Sequence, residues 1–409
     1  MGKCVVWGIV ILLTFSFATL DLGSATDGSY EIKSSAFVRT PKPPALDSLV
    51  FTYDKYLTNA IDSLKSPGAA IALVYKGEIL LLKGYGVKKV GSKDSINNHT
   101  VFRLGSVSKG FASVLTGIMV EEGTLSWDDK VTKFLSDFTM RDTSCAHQLT
   151  IRHILSQTSG FPEHTYTDML DNGMEYAVIK PSLCNVPVIA KPGQIYSYQN
   201  VVYSLISDIL FTASGKDYNN LLQNKIFAPL NMRDASTDYT SFYYNPNTAM
   251  PHLGSGILWK AKSKNSRYYS VSPASGVNAS ASDMAKWLLA LTGYFPEVLP
   301  PNTIREISQH AIETPKRLYK RNWTDLEKAY YGLGWRVFNV KGHDVIYHGG
   351  YVEGFRSEIA FDPESKVGIA VMFNSNTPLA SQCIPKFMST FLETCCSVEQ
   401  VPLFASANK

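Results

Sequence analysis

Six cysteines in 409 residues are too few to scaffold a fold with disulfides. Charge is also sparse, at 18% of residues against about 25% in an average chain. The net charge of +4 is too small to imply a nucleic-acid partner. The eight histidines show no His-x-His or His-Glu-x-x-His spacing, and no Gly-x-x-x-x-Gly-Lys phosphate loop occurs. No metal or other cofactor is therefore expected. Internal repeats and low-complexity tracts are absent, and no apolar run after Leu20 is long enough to span a bilayer. What is present is ordinary for a globular protein: 45% hydrophobic residues, 12% aromatics, 28 Gly and 20 Pro. That composition excludes disorder, collagen and coiled coil as the main organisation. The length allows two or three domains, or one large fold.

Lys3 precedes an apolar run from Cys4 to Leu20, followed by Asp21 and the small residues Gly23, Ser24 and Ala25. This pattern predicts a signal peptide over 1–25, with an uncleaved anchor as the alternative, and so a periplasmic or secreted protein. Cleavage would leave Cys145, Cys184, Cys383, Cys395 and Cys396, an odd number with at least one free thiol. Cys145 and Cys184 lie in loop-like stretches and could pair. Cys383 and Cys395 fall on the apolar face of a predicted helix and read as buried thiols. Residues 26–45, with Pro41, Pro43 and Pro44, read as a linker, and 399–409 as a tail.

Residues 46–64 carry helical spacing through Leu49, Tyr53, Leu57, Ile61 and Leu64. Two apolar runs, 69–75 and 79–85, flank Lys76-Gly77-Glu78 and predict a hairpin. A second hairpin is predicted where Arg356–Phe361 and Val367–Phe373 flank 362–366. Residues 106–260 are mostly helical in pattern, 331–373 strand-like, and Cys383 to Cys395 helical again. Strands from both ends can join one antiparallel sheet with the end helices packed on it. The basic clusters 260–264 and 316–321 read as solvated loops.

Three short motifs carry chemistry. Ser106 and Lys109 stand three apart at a helix start, beside an adjacent stripe of Gly110, Ser113 and Gly117. A hydroxyl there meets free backbone N–H groups, and a desolvated lysine can take its proton. The same spacing at Ser406–Lys409 lies in a polar tail. Tyr198 and Asn200 fall at the mouth of a second predicted helix, 201–210. A phenol near an ammonium can have a lowered pKa and act as a base, and the amide can orient a substrate carbonyl. Finally, Tyr347-His348-Gly349-Gly350-Tyr351 ends an apolar strand and offers bare backbone to a substrate that adds as an extra strand. Tyr351 N–H could pair with that of Ser106 as an oxyanion hole. His252-Leu253-Gly254 is a rival to His348 by pattern alone.

Ser-x-x-Lys, Tyr-x-Asn and His-x-Gly, in this order, resemble the serine β-lactamase and penicillin-binding protein superfamily. The tyrosine form of the middle motif resembles its class C and D,D-peptidase branch. Residues 150–161 are similar to that branch's Leu-Leu-x-His-Thr-Ser-Gly segment, with Gln157 in place of His. Segments 228–232, 276–287 and 331–335 fit as well, so the resemblance covers about 50–375. It implies an α+β fold: an antiparallel sheet lobe (46–105 and about 270–398) interrupted by a helical lobe (106–270), forming one catalytic domain over 46–398. It implies acylation of Ser106, proton transfer by Lys109 and Tyr198, and Asn200 on the substrate amide. His348 stands where class C β-lactamases carry the Lys of Lys-Thr-Gly, and Gly349 where they carry Thr. If His348 binds a substrate carboxylate as imidazolium, activity should fall as pH rises through about 6.5. The expected substrates are β-lactams or D-Ala-D-Ala-type peptides. Esters, D-amino-acid peptides and a non-hydrolytic penicillin sensor remain alternatives. A monomer is expected. Asn98, Asn278 and Asn322 begin glycosylation acceptor motifs, which matter only in a eukaryotic secretory host.

Overall fold

An unbroken apolar run needs cover on both faces. In the computed structural model, which describes residues 42–63 and 65–396, the run at 69–75 forms β1 (Gly68–Tyr75), and every residue in it is buried. It turns through Lys76-Gly77 into β2 (Glu78–Gly86). Further along come β3 (Phe102–Arg103), β4 (His252–Leu253), β5 (Lys260–Ala261) and β6 (Asn278–Ala279). The C-terminal part supplies β7 (Ile312–Glu313), β8 (Leu326–Tyr331), β9 (Arg336–Val340), β10 (His343–Val352), β11 (Phe355–Asp362) and β12 (Val367–Phe373). The main sheet is antiparallel, in the order β2-β1-β12-β11-β10-β9-β8-β7. Ala69 opposite Phe373 joins the two ends of the chain. This is the α+β sheet the sequence predicts. β7 and the first residues of β8 were not legible in it, because the first is only two residues long.

The sheet separates two cores. Ala69, Ile71, Leu73 and Tyr75 face α1 (Pro44–Asp62) and the helix Ala380–Phe391, through Tyr53, Leu57, Ile384 and Phe387. Ala70, Ala72 and Val74 face the other way, toward α2 (Ser108–Glu121) and the helix Ala281–Leu291. There Phe111 stacks on Trp287 with ring centroids 4.1 Å apart.

α1 begins at Pro44, so the predicted linker gives way to helix two residues before its expected end. Leu64, residues 1–41 with the predicted leader, and residues 397–409 with Ser406–Lys409 lie outside the described residues. The second motif's helix starts at Leu205 rather than at 201, after a turn. Cys145 and Cys184 do not pair. Both are free, and Cys145 is buried in the short helix Thr143–Gln148. Cys383 and Cys395 are buried free thiols, as their spacing predicts. No described helix is long and apolar enough to cross a membrane.

Candidate active site

Ser106 sits in a single 3-10 turn, Gly105–Val107, that leads into α2. Val277 braces the turn. Leu104 N–H donates to Val277 O (2.9 Å), and Val277 N–H donates to Ser108 Oγ (2.9 Å). On its other side the turn lies against β10. A Cβ on Gly350 would stand 2.1 Å from Leu104 O, and one on Gly105 would stand 2.8 Å from Tyr351 N. Only glycine permits that approach. The backbone nitrogens of Ser106 and Tyr351 thus lie at one turn–strand contact. The stripe of small residues receives another segment, as its composition predicts. Gly110 lies under the Trp335 ring, and Ser113 Oγ–H donates to Leu333 O.

Lys109 is fully buried. Its Nζ lies 2.7 Å from Asn200 Oδ1, 3.1 Å from Ala274 O and 3.4 Å from Ser106 Oγ. Burial pulls its pKa well below the usual lysine range, and the Arg336 charge adds to the effect. Tyr198 is also buried, and Lys109 Nζ lies 4.6 Å from the centroid of its ring. Its pKa is raised by burial, against the opposing pull of Arg336 and Ser106. The expected lowering of the phenol pKa is therefore corrected. Burial thus favours the neutral form of both the amine and the phenol.

Gln157, the departure from the family's His, fixes the second motif. Its Oε1 accepts from Gln199 N–H (2.7 Å), its Nε2 donates to Gln199 O (3.1 Å), and its backbone O accepts from Ser197 N–H (2.8 Å). Tyr198 is held between these contacts, and Asn200 follows.

His348 is fully buried and is not among the residues lining the cavity over Ser106. Nδ1 lies 2.9 Å from Gly349 O and Nε2 lies 3.2 Å from Tyr331 Oη. One neutral tautomer satisfies both contacts: Nδ1–H donates to Gly349 O, and Nε2 accepts from the Tyr331 hydroxyl. Burial and the Arg336 and Lys109 charges push its pKa well below the histidine range. An imidazolium that meets a substrate carboxylate is thereby overturned. His348 lies beneath the site, its ring centroid 6.4 Å from that of Tyr198. The rival His252 is structural as well: Nδ1–H donates to Asn374 O (2.8 Å) and Nε2 accepts from Val90 N–H (3.1 Å).

A cavity of about 710 Å³ opens over Ser106, lined also by Tyr198, Asn200, Gly349 and Tyr351. Arg336, opposite Tyr347 where the pairing of β10 with β9 ends, lines it too. The guanidinium lies over the rings of Tyr198 (5.7 Å) and Tyr319 (5.7 Å), with no carboxylate partner among the described residues. Beyond Tyr347, residues 348–352 have no strand on the β9 side among the described residues. Gly349 has its own reason to be glycine: a Cβ there would stand 2.6 Å from Glu358 Oε2, which accepts from the Tyr347 hydroxyl and is buried. A threonine at this position would strike that carboxylate.

The family model named Beta-lactamase matches residues 53–385. The chain belongs to the β-lactamase family. Among curated relatives of this β-lactamase-family chain, Protein flp of Staphylococcus aureus is 26% identical over 329 residues, which are 79% of this chain and 61% of that protein. The Unguisins hydrolase ungD' of Aspergillus campestris is 25% identical over 351 residues, 82% of this chain and 63% of that protein. The chain thus spans about three fifths of the length of these relatives. The octameric penicillin-binding protein homologue from Pyrococcus abyssi superposes with a TM-score of 0.73 at 24% identity, covering 84% of this chain and 77% of the other. EstCE1, a hydrolase with promiscuous acyltransferase activity, superposes at 0.70 and 17% identity, covering 84% of this chain and all of that one. These two show the fold.

The structure of this β-lactamase-family chain thus brings Ser106, Lys109, Tyr198, Asn200, Gly349, Gly350 and Tyr351 around one cavity or just behind it, and puts His348 a layer below. Sequence reasoning missed Arg336. The only signal was its place after Tyr331-Gly332-Leu333-Gly334-Trp335, because its partners come from strand register.

Proposed function

We propose that the chain is a serine hydrolase that works through an acyl-enzyme on Ser106. The observation that carries this is the set of contacts around Lys109 Nζ. A neutral amine has two N–H donors and one lone pair. Asn200 Oδ1 and Ala274 O take two donors, and Ser106 Oγ lies third at 3.4 Å, where the lone pair of the neutral amine would meet the serine hydroxyl. Lys109 takes the Ser106 proton as Oγ attacks the substrate carbonyl carbon. The N–H groups of Ser106 and Tyr351 hold the oxyanion. When the carbon–leaving-group bond breaks, the Tyr198 hydroxyl donates its proton to the leaving group, and Lys109 ammonium reprotonates Tyr198. Water then cleaves the acyl ester by the reverse proton route. Two relatives whose names describe hydrolases support this reading.

Arg336 narrows the substrate. A guanidinium without a carboxylate partner, at the edge of the cavity, favours a substrate that brings one. β-Lactams and peptides with a C-terminal carboxylate fit that demand, and the free side of residues 348–352 fits an extended peptide. Neutral esters would use the same acylation groups without the arginine.

Labelling with a fluorescent penicillin, alongside ester turnover, tests the proposal. Wild type should be labelled or turn over ester, and Ser106→Ala should do neither. Lys109→Arg should lose about 10²–10⁴-fold in kcat/KM, because a guanidinium cannot become a neutral base. No label and no turnover in wild type would reject the hydrolase. Release of label within seconds would identify a β-lactamase, and persistence for minutes a penicillin-binding protein.

A further inference from the structure

Several large apolar side chains left in water gather on three segments that touch. Val90 lies in the loop 88–93, Tyr243 and Tyr244 end the short helix Tyr239–Tyr244, and Ile257 and Leu258 form the tip of the β4–β5 hairpin. Met250 N–H donates to Lys88 O (2.9 Å), and Val90 N–H donates to His252 Nε2 (3.1 Å). Lys264 Nζ, which follows the hairpin, donates to Tyr243 O (3.1 Å). Ile257 at the tip is the most exposed residue of the patch at 84%, with Tyr244 at 76% and Leu258 at 67%. Hairpin tips ordinarily carry Gly, Asn, Asp or Ser, and an aliphatic pair there has no folding reason. The stem beneath is fixed, since His252 and Trp259 are buried and His252 is bonded at both ring nitrogens.

The exposed charge without an ion-pair partner on the loop and hairpin is positive. Lys89, Lys93, Lys260 and Lys262 are exposed and have no carboxylate partner among the described residues. Asp94, the acid in the same loop, is paired with Lys88 at 3.1 Å. Lysine is depleted at protein–protein interfaces, and a projecting tip is neither a groove nor a flat patch. Aliphatic side chains amid unpaired lysines, with tyrosines beside them, match the layers of an anionic bilayer: acyl boundary, headgroup charge and aromatic belt.

We propose that this patch docks the protein on an anionic lipid surface, with Ile257 and Leu258 inserted below the headgroups and the lysines on them. The same loop runs on to Arg267 and Tyr268, which line the cavity over Ser106. Docking therefore places the cavity rim within a few residues of the lipid. The inference rests on the patch and not on the hydrolase reading.

The test uses the full chain with vesicles of phosphatidylcholine, alone or with phosphatidylserine. Because the apolar N-terminal run could tether the chain by itself, the deciding readout is local: amide exchange over 254–262. Exchange there should slow on phosphatidylserine vesicles and not on phosphatidylcholine alone. I257S/L258S should abolish the protection, and K260A/K262A should weaken vesicle partitioning about ten-fold or more at low salt. Ester turnover in solution should be unchanged in both. Solution-rate exchange on vesicle-bound chain, protection equal on neutral vesicles, or no vesicle binding would overturn the proposal. So would an oligomer that forms without lipid and dissolves in I257S/L258S, which would assign the tip to a second copy of the chain.

Discussion

At the scale of the residue, the site is a set of side chains whose charge is decided by burial. Burial and the neighbouring Arg336 charge favour the neutral form of Lys109, and the same arginine meets the cavity. Removing the arginine therefore has two effects. Arg336→Met should raise KM for carboxylated substrates about 10–100-fold, the loss of a charge-assisted contact, and leave neutral esters less affected. It also removes a charge that depresses Lys109, so the Lys109 pKa rises and less of it is neutral at a given pH. The ascending limb of kcat/KM against pH should move to higher pH in the variant, as a profile on a neutral ester would read. An unmoved limb would argue against Lys109 as the base. The same scale separates motif from environment. Asn278 begins a glycosylation motif, yet it is fully buried. Its Nδ2 donates to Ser236 Oγ (3.0 Å) and its Oδ1 accepts from the Tyr269 hydroxyl (2.7 Å). It is a structural amide.

Elements carry the geometry between these residues. The segment 197–200 has no regular structure of its own and takes its shape from Gln157, which sits in a left-handed conformation at φ 60°. Replacing it by leucine strands a buried N–H and a buried C=O of Gln199. Gln157→Leu should cost about 2 kcal/mol or more of stability by denaturant titration, and should lower kcat through the displaced Tyr198. A variant with wild-type stability and kcat would show that the loop holds its own shape. Farther from the site, the C-terminal helix was legible from its four-residue steps, because one face of it is fully apolar. Phe387, edge-on to Tyr53 at 5.3 Å and fully buried, should cost about 3–5 kcal/mol when cut to alanine. Short strands such as β3 and β6 were not legible, since two residues hold no period. Just past that pair, Leu104 and Val277 nevertheless brace the Ser106 turn.

Over the whole molecule, burial of bases sets the response to acid. His348, His252 and His153 all have pKa values lowered chiefly by burial. Each binds its proton less readily folded than unfolded, so each contributes stability that is complete above the unfolded value of about 6.5 and is lost as pH falls below it. Asp54 and Asp128, lowered by their Lys83 and Arg152 partners among other causes, act only nearer pH 4. The denaturation midpoint should therefore fall between pH 7.5 and 5, a window that histidines control, and a flat midpoint would contradict their neutral burial. The amino-acid sequence by itself determined the sheet's apolar strands, the end helices and the candidate nucleophile with its lysine, because each is a local pattern of period or spacing. Only the tertiary structure decided which groups bear charge. The depressed lysine, the buried histidine and the arginine without a carboxylate among the described residues depend on burial and strand register, and residues far apart in the chain create both.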